Sequence, residues 1–238
     1  MAKINLVRRS LRKFGLDVSR YPDESEGLPR TQLLAHHGVE LVLDIGAARG
    51  SYVADLREFG YTGEAFSFEP LPASFEILKK RSLNDPNWHA INGAVGDSEG
   101  EITINVSENM DSSSALPMLD AHEAAAPKSR VVDSISVSQL TVDSFLADHT
   151  SDRCFLKLDV QGYEPAVLRG AKESMGRVIG FELELSMIPL YEGQTLFPEM
   201  MSQMAELGFE LHRLVPGFSD PDSGRMLQAD GMFFRANS

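Results

Sequence analysis

The 238-residue sequence predicts an α/β fold, a doubly wound and mostly parallel β-sheet that ends in an antiparallel hairpin. Three observations support this prediction. From about residue 38, short apolar runs alternate with segments of helical periodicity, and parallel strands need such crossover connections. Several of the apolar runs end in acidic or amide residues. Residues 208–236 contain two strand-like runs around a turn rich in Gly, Pro and Asp, which is typical of a hairpin.

Local features of the sequence support each predicted strand and helix. The predicted strands before the hairpin are residues 41–46, 64–70, 88–97, 101–106, 130–142, 154–162 and 177–185. The predicted helices are residues 51–60, 73–83, 164–175 and 196–208. Gly46 and Gly208 end a strand and a helix, and the helix over 73–83 follows the turn-forming Pro70 and Pro72. The runs at 101–106 and 130–142 are expected to pair, since the first alternates like a half-exposed strand.

The segment 108–129 lacks clear periodicity. Compact domains seldom keep so long an irregular stretch, and those that do often use it as a lid or binding loop. We therefore expect this segment to border the pocket of the substrate, the acceptor discussed below, and to become ordered when that substrate binds. A disordered surface insertion is the alternative.

Charge divides the chain into two predicted units, a basic helical appendage over residues 1–37 and a globular domain over 38–238. The formal net charge is −13, whereas residues 1–20 contain six cations and one acid, which leaves a strongly acidic remainder. Such a remainder repels a phosphate backbone, so a nucleic-acid partner is not expected. The basic helix is expected to pack on the domain or on a partner subunit, and peripheral membrane contact is the alternative.

Composition indicates a cytoplasmic protein, because no apolar run approaches the roughly 18 residues of a membrane-spanning helix and the N-terminus lacks a secretory core. The single cysteine, Cys154, precedes an apolar run and is interpreted as an inert core thiol. No His/Cys spacing resembles a zinc site. The oligomeric state stays open.

Polar residues at the ends of the predicted strands indicate where a ligand binds. They are Asp44, Glu69, Asn92, Asp159, Glu182 and Glu184. In open α/β sheets, ligands lie beyond the carboxyl ends of the strands, at the point where the strand order reverses. These side chains are therefore expected to converge at one edge of the sheet.

The first of these loops narrows the ligand. Residues 46–50, Gly-Ala-Ala-Arg-Gly, depart from the G-x-G-x-x-G pattern of dinucleotide folds. A carboxylate at Asp44 repels phosphates and favours a ligand with positive charge. Glu69 follows at a spacing suited to accept hydrogen bonds from a ribose diol. A nucleoside joined to a cationic amino-acid tail, S-adenosylmethionine, satisfies both features.

A series of motifs then resembles a known family. The blocks are LVLDIGAARGSYVADL, FSFEPLPASFEIL, NGAVGDSEGEITI, TVDSFL, FLKLDVQGYEPAVLRGA and IGFELELSMIPLYEGQTLF. In this order they are similar to the FkbM-type family of S-adenosylmethionine-dependent methyltransferases. The resemblance implies a class I methyltransferase (Rossmann-like) fold. It also implies O-methylation of a sugar, glycolipid or natural-product acceptor.

The resemblance also implies cofactor-binding roles. It places Asp44, Gly46, Ala47 and Gly50 in the methionine-side loop, Glu69 at the ribose, and Asn92 to Ala94 beside the adenine. Two of these residues have a structural alternative, because Asp44 and Glu69 are also placed to cap a turn and a helix.

Catalysis is expected to depend on carboxylates near the sulfonium, which is the positively charged sulfur of S-adenosylmethionine that carries the methyl group. Asp159 and Glu182, which follow adjacent predicted strands, are the candidate bases, with Lys157 beside them. A mechanism without a metal ion is favoured. The alternative is a magnesium ion that is held by Asp159, Glu182 and Asp230 and acidifies the acceptor hydroxyl. The block Asp159–Glu164 reads D-V-Q-G-Y-E, and Gln161 replaces a glutamate that is common in the family, so a role for this position as base or metal ligand is in doubt.

Alternatives to this mechanism stay open. Lys157 and Asp159 share a strand face and are also interpreted as a simple buried ion pair. One of Glu182 and Glu184 has a similar alternative, a bridge to a helix. At the level of function, the alternatives are an S-adenosylmethionine-binding protein without catalysis and a nucleotide-dependent oxidoreductase.

Overall fold

The computed structural model describes residues 27–236, together with Leu11 and Lys13. The predicted basic helix therefore lies almost entirely outside the described residues. Among the helices of residues 27–236, none is both long and apolar enough to cross a membrane.

The described elements alternate along the chain as the sequence predicts. The helices are α1 (Gly27–His36), α2 (Ser51–Glu58), α3 (Pro72–Ser82), α4 (Asp120–Ala125), α5 (Val142–Ala147), α6 (Glu164–Arg169) and α7 (Phe197–Glu206). The strands are β1 (Leu41–Ile45), β2 (Glu64–Phe68), β3 (Trp88–Ile91), β4 (Ala94–Gly96), β5 (Gly100–Ser107), β6 (Val131–Thr141), β7 (Cys154–Leu158), β8 (Val178–Ser186), β9 (Phe209–Pro216) and β10 (Gln228–Arg235). Short 3₁₀ helices cover Pro127–Ser129 and Ser174–Arg177.

The main sheet has seven strands in the order β3-β2-β1-β7-β8-β10-β9. The first five strands of this order pair in parallel. Strand β10 is antiparallel to both β8 and β9, so the predicted C-terminal hairpin is confirmed. The strand order reverses between β1 and β7, where Asp44 lies opposite Lys157 and Ile45 opposite Leu158. A ligand site is therefore expected beyond the ends of these two strands.

A small second sheet accounts for two departures from the predicted elements. The predicted pairing of 101–106 with 130–142 is confirmed as antiparallel β5–β6, and β4 pairs with β6 in parallel. The predicted strand 88–97 is divided, since β3 belongs to the main sheet and β4 to the small one. The predicted helix over 164–175 ends at Arg169, because Gly170 lies so close to strand β4 that a Cβ would come within 1.9 Å of the Gly96 carbonyl oxygen.

The core fills both faces of the main sheet, and every residue of β1 is buried. This is the burial expected of a central parallel strand with helices on both sides. Cys154 is fully buried, and burial raises the pKa of its thiol to about 11, as expected of an inert core cysteine. Helix α1 precedes the predicted start of the domain at residue 38, yet its Leu34 is completely buried in this core.

The segment 108–129, predicted to be irregular, contains α4 and the first 3₁₀ helix. Several of its polar side chains are buried, among them Ser112, Ser114 and His122. The Tyr191 hydroxyl oxygen lies 2.9 Å from the Ser112 carbonyl oxygen. The segment is therefore packed against the domain, and its predicted ordering on binding stays a prediction.

Candidate functional site

Gly46 brings the loops after β1 and β7 into close contact at the point of strand reversal. Its φ is +76°, in the left-handed region, and a Cβ on it would come within 1.9 Å of the Asp159 carbonyl oxygen. Only glycine fits at this position. The end of β1 also holds the backbone of Asp159, since the Asp159 amide donates to the Ile45 carbonyl oxygen at 3.1 Å.

Glu69 follows β2, and both of its carboxylate oxygens accept backbone hydrogen bonds. The amides of Ala48 and Leu71 donate to them, each at 2.8 Å. Leu71 immediately precedes α3, so the predicted alternative of a capping role holds for one oxygen, while the other holds the loop after β1. Burial raises the pKa of Glu69 to about 7, although the two amides counteract this shift. Each oxygen can accept further hydrogen bonds from a ligand.

A first cavity of about 280 Å³ lies over these loops. The predicted site residues in its wall are Gly46, Glu69, Ala94 and Asp159. Apolar side chains, including Phe68 and Ile104, supply much of the remaining surface, and residues 110, 111 and 113–115 of the segment 108–129 form one side. The segment thus borders the cavity that contains Glu69, whereas its predicted position beside the acceptor pocket stays a prediction.

Four predicted cofactor-binding residues do not line this cavity: Ala47, which lines the second cavity described below, and three others. Asp44 is fully buried beneath it and accepts a hydrogen bond from the Ser67 hydroxyl at 2.9 Å. Burial raises the pKa of Asp44, and the nearby ammonium of Lys157 opposes this shift. The Asn92 side-chain amide donates to the Glu69 carbonyl oxygen at 2.8 Å, and Gly50 packs against the α3 and β3 side chains. These residues shape the loops instead of facing the cavity.

A second cavity of about 290 Å³ lies on the other side of the loop after β1. Its wall contains Ala47 and the three candidate catalytic residues, Lys157, Asp159 and Glu182. The residues shared by the two cavities are Gly46, Ala48, Ser51 and Asp159. Asp159, whose side chain is 42% exposed, is thus the candidate base that both cavities reach.

Lys157 lies between two carboxylates. Its ammonium is 3.3 Å from Asp159 Oδ2 and 3.4 Å from Asp44 Oδ1, and it donates to the Gly46 carbonyl oxygen at 3.0 Å. Burial lowers the pKa of Lys157, but Asp159 and Asp44 outweigh burial and the pKa is raised. Lys157 therefore stays protonated at neutral pH and stabilises charge, and the ion pair with Asp159 anticipated from the sequence is present.

Glu182 lies within β8 and not at its end, so its predicted position at a strand end is wrong. Its carboxylate accepts two hydrogen bonds from Arg30 Nε, at 2.8 and 3.0 Å, and one from the Tyr52 hydroxyl at 2.8 Å. The Arg30 Nη2 atom lies 2.5 Å from Glu182 Oε1. The bridge from one glutamate to a helix, an alternative that the sequence left open, is what the structure shows, since Arg30 belongs to α1.

Further carboxylates, of Asp55, Glu184 and Asp230, line the second cavity. Burial raises the pKa of Asp230 to about 6, with Glu182 and Asp159 adding to the shift. Burial, followed by the charge of Asp159, raises the pKa of Glu184 well above its ordinary value. Within the described part of the chain, no three His, Cys, Asp or Glu side chains form a group suited to hold a metal ion.

Sequence reasoning did not find Arg30, Tyr52 and Tyr191. Arg30 lies in the predicted appendage, and its partner Glu182 is 152 positions away, so no local pattern connects them. Tyr191, which is fully buried, donates to the Gln161 side-chain oxygen at 2.7 Å. A buried tyrosine near a strand end was the available signal, since its hydroxyl needs a partner.

Comparison with known proteins gives one family match. A family model described as the methyltransferase FkbM domain matches residues 44–211. No curated protein matches the chain.

Solved structures also resemble this one. Fibrillarin from Aeropyrum pernix, solved with S-adenosyl-L-methionine, is 11% identical with a TM-score of 0.46, covering 82% of this chain and 66% of its own. TehB from Haemophilus influenzae is 10% identical with a TM-score of 0.48, covering 95% and 65%. The Burkholderia thailandensis 1,6-didemethyltoxoflavin-N1-methyltransferase is 13% identical with a TM-score of 0.45, covering 99% and 87%. The chain thus spans slightly less than two thirds of the fibrillarin and TehB chains.

Proposed function

This chain belongs to the FkbM family of S-adenosylmethionine-dependent methyltransferases, and from this premise we propose that it methylates a hydroxyl of a sugar, glycolipid or natural-product acceptor. The observation that carries the proposal is the position of Asp159, a carboxylate in the wall shared by two cavities. One cavity suits the cofactor, and the other contains groups that bind and deprotonate a hydroxyl.

The first cavity fits S-adenosylmethionine. Because Gly46 has no side chain, the Asp159 backbone packs directly against it, and the two loops together form the part of the wall that would face the cofactor. The buried Glu69 carboxylate, held in place by two amides, accepts the ribose hydroxyls. Gly93 and Ala94 border the adenine in this arrangement. Asn92, Asp44 and Gly50 then contribute by shaping the loops, as their contacts indicate.

The cofactor supplies an electrophilic methyl group on a positively charged sulfur. Gly46 and Asp159, in the wall that the two cavities share, would hold the amino-acid end of a cofactor whose ribose is bound by Glu69. Asp159 accepts the proton of the acceptor hydroxyl as its oxygen takes the methyl group and the sulfur–methyl bond breaks, with S-adenosylhomocysteine as the second product; such a base is typically worth about 100- to 10,000-fold in rate. Lys157 orients Asp159, and Ala47 lines the second cavity.

The second cavity receives the acceptor. Its wall carries carboxylates from Asp55, Asp159, Glu184 and Asp230, while the carboxylate of Glu182 is already neutralised by Arg30. Carboxylates accept hydrogen bonds from sugar hydroxyls and repel phosphorylated compounds. We therefore propose a neutral or cationic polyol as the acceptor, with Glu182 holding the cavity wall through Arg30 and Tyr52.

Two experiments test this proposal. Calorimetric titration with S-adenosylhomocysteine is expected to give a binding isotherm, whereas NAD is expected to give none. A radiolabelled methyl donor with a panel of amino sugars, neutral sugars and sugar phosphates is expected to label the first two classes at oxygen. Activity that is lost to EDTA and restored by magnesium would overturn the metal-free version, and labelling confined to nitrogen would overturn O-methylation.

A further inference from the structure

Gln161 occupies a constrained position in the loop after β7. Its φ is +55°, in the left-handed region that few residues other than glycine adopt. Gly162 continues this conformation with a φ of +94°, and its amide donates to Glu164 Oε1 at 3.2 Å. The residue is only 9% exposed. The loop therefore directs the Gln161 side chain inward, where Gln161 forms part of the wall of the first cavity beside Asp159.

The Gln161 side-chain nitrogen donates to two carboxylates. It lies 2.8 Å from Asp159 Oδ1 and 3.1 Å from Glu184 Oε2. Because the other oxygen of Asp159 already pairs with the Lys157 ammonium, Asp159 only accepts hydrogen bonds, so the amide nitrogen and not the amide oxygen of Gln161 must face it. The second oxygen of Asp159 faces Lys157. Each oxygen of Asp159 is thus held by one donor.

The side-chain oxygen and the backbone oxygen of Gln161 contact other groups, on the side away from these carboxylates. The Tyr191 hydroxyl lies 2.7 Å from the side-chain oxygen, and the Ser114 hydroxyl donates to the backbone oxygen at 2.7 Å. Ser114 belongs to the segment 108–129, which forms one side of the first cavity. Gln161 therefore connects this side of the first cavity to the carboxylates of the second.

We propose that Gln161 is a positioning residue that holds Asp159 and Glu184 side by side and aims Asp159 at the acceptor hydroxyl. This inference rests on the proposed role of Asp159 as the base. It reverses the significance of the glutamine, which the sequence alone marks as a departure that weakens the site. The neutral amide is the only common side chain of this length that presents two donors to carboxylates and an acceptor to a tyrosine.

A glutamate at position 161 is the sharpest contrast, because it keeps the shape and removes both donors. The pKa of Glu184 is already raised, first by burial and then by the charge of Asp159. A third carboxylate would favour protonation of its neighbours, since like charges at short range disfavour ionisation. Gln161→Glu is therefore expected to change the pH at which the site becomes active.

The test compares Gln161→Glu with Gln139→Glu. Gln139 is also buried and donates through its side-chain amide, to the Ser98 carbonyl oxygen at 2.7 Å, but it lies in β6 outside the walls of both cavities. We expect Gln161→Glu to lower kcat at least tenfold at pH 7 and to move the acid limb of the kcat profile upward by about one pH unit or more. The affinity for S-adenosylhomocysteine is expected to stay within about fivefold. Gln139→Glu is expected to leave the acid limb in place.

A second readout does not depend on activity. Carboxyl carbon NMR of the complete chain, with Glu184→Gln used to assign the Glu184 signal, is expected to show a higher titration midpoint in Gln161→Glu and an unchanged midpoint in Gln139→Glu. If Gln161→Glu does not fold, Gln161→Asn replaces it, since asparagine tolerates a positive φ but is one methylene too short to reach both carboxylates. That neutral variant is expected to lose turnover without a shift of the acid limb.

The outcomes separate this inference from the proposed function. An unchanged acid limb and an unchanged Glu184 midpoint in Gln161→Glu would overturn the positioning role, whatever the other variants show. An acid limb that moves equally in Gln139→Glu would also overturn it, because the effect would then be general. Wild-type turnover in Asp159→Asn would instead overturn the assignment of the base, while the Glu184 titration would still report on the contact with Gln161.

Discussion

The two cavities that meet at Asp159 have nearly equal volumes, about 280 and 290 Å³, but different forces shape them. The wall of the first depends on backbone geometry, through the close approach at Gly46 and the two amides bound to Glu69. The wall of the second depends on charged side chains, which include the pair of Arg30 with Glu182 and the pair of Lys157 with Asp159.

This difference separates two chemical tasks. A site built from backbone groups and one carboxylate that two amides hold has a fixed geometry, as a common cofactor requires, and Glu69 is the group in it that titrates. A site built from several buried carboxylates has properties that change with pH and with each added or removed charge. Substitutions in the first cavity should therefore affect affinity, whereas substitutions in the second should affect turnover.

Asp159→Asn is expected to have the largest effect. Removal of the base should lower kcat by about 100- to 10,000-fold, because asparagine cannot accept the hydroxyl proton. Affinity for S-adenosylhomocysteine, measured by calorimetry, should stay within a few-fold of wild type. Asp148→Asn provides the control, since Asp148 is exposed and lines neither cavity, and its kcat should stay within about threefold. Equal losses in the two variants would show that charge in general, and not a base at Asp159, supports turnover.

Glu69→Ala is the corresponding test of the first cavity. Two hydrogen bonds to a charged acceptor, at about 1.5 to 3 kcal/mol each, predict a loss of cofactor affinity of at least tenfold. The turnover number at saturating cofactor should fall much less than in Asp159→Asn. Glu76→Ala, an exposed change on α3, is the control and should bind like wild type. If Glu69→Ala keeps its affinity and folds normally by circular dichroism, the ribose assignment is wrong.

The sequence was informative about this site where the fold itself determines position. Asp44, Glu69 and Asp159 were predicted near one edge because carboxyl ends of parallel strands meet there, and the structure places all three at the reversal between β1 and β7 or beside it. The parallel register also explains why Asp44 lies opposite Lys157. Strand periodicity alone does not show that Asp44 is fully buried and faces away from the ligand, since β1 is covered on both sides.

Contacts between distant parts of the chain were beyond sequence reasoning. Glu182 was predicted as a base because its residue type and strand suited that role, but a partner on α1 already occupies its carboxylate. Similarly, Gln161 appeared as a weakened family position until its contact with Tyr191, 30 residues later, was visible. In both cases a buried polar group acquires its role from a partner that no periodic pattern reveals.

The pH dependence of stability distinguishes the cavities in the absence of cofactor. The pKa of Glu69 is raised to about 7 and that of Asp230 to about 6, in both cases mainly by burial. A carboxyl whose pKa is raised on folding stabilises the folded state fully below its unfolded pKa, and this stabilisation is lost as the pH rises through the folded pKa. We therefore expect the free energy of unfolding to fall between about pH 4 and 7, from the ordinary carboxyl pKa to the raised values, by on the order of 1 to 3 kcal/mol per group.

Two variants assign this pH dependence. Glu69→Gln should flatten the thermal unfolding profile mainly between about pH 4.5 and 7, and Asp230→Asn mainly between about pH 4 and 6. Each variant is compared with wild type by its slope and not by its absolute Tm, because glutamine at position 69 also loses an acceptor for a backbone amide. If the slopes of both variants equal that of wild type, then folding does not raise the pKa of either carboxyl.

The smallest effect is expected at the rim of the first cavity, where Arg49 Nη1 lies 3.4 Å from Asp111 Oδ1. Their side chains are 42% and 56% exposed, and exposed ion pairs contribute only about 0 to 1 kcal/mol. Arg49→Ala and Asp111→Ala should therefore each change cofactor affinity by less than about fivefold, and the coupling measured in the double variant should disappear at about 0.5 M salt, where the Debye length is only a few ångströms. A loss above tenfold that persists at high salt would mean that the pair becomes buried when ligand binds. The segment 108–129 would then close over the first cavity and not only beside the acceptor, where the sequence predicts it, and the wall of that cavity would depend on charged side chains as well as on the backbone.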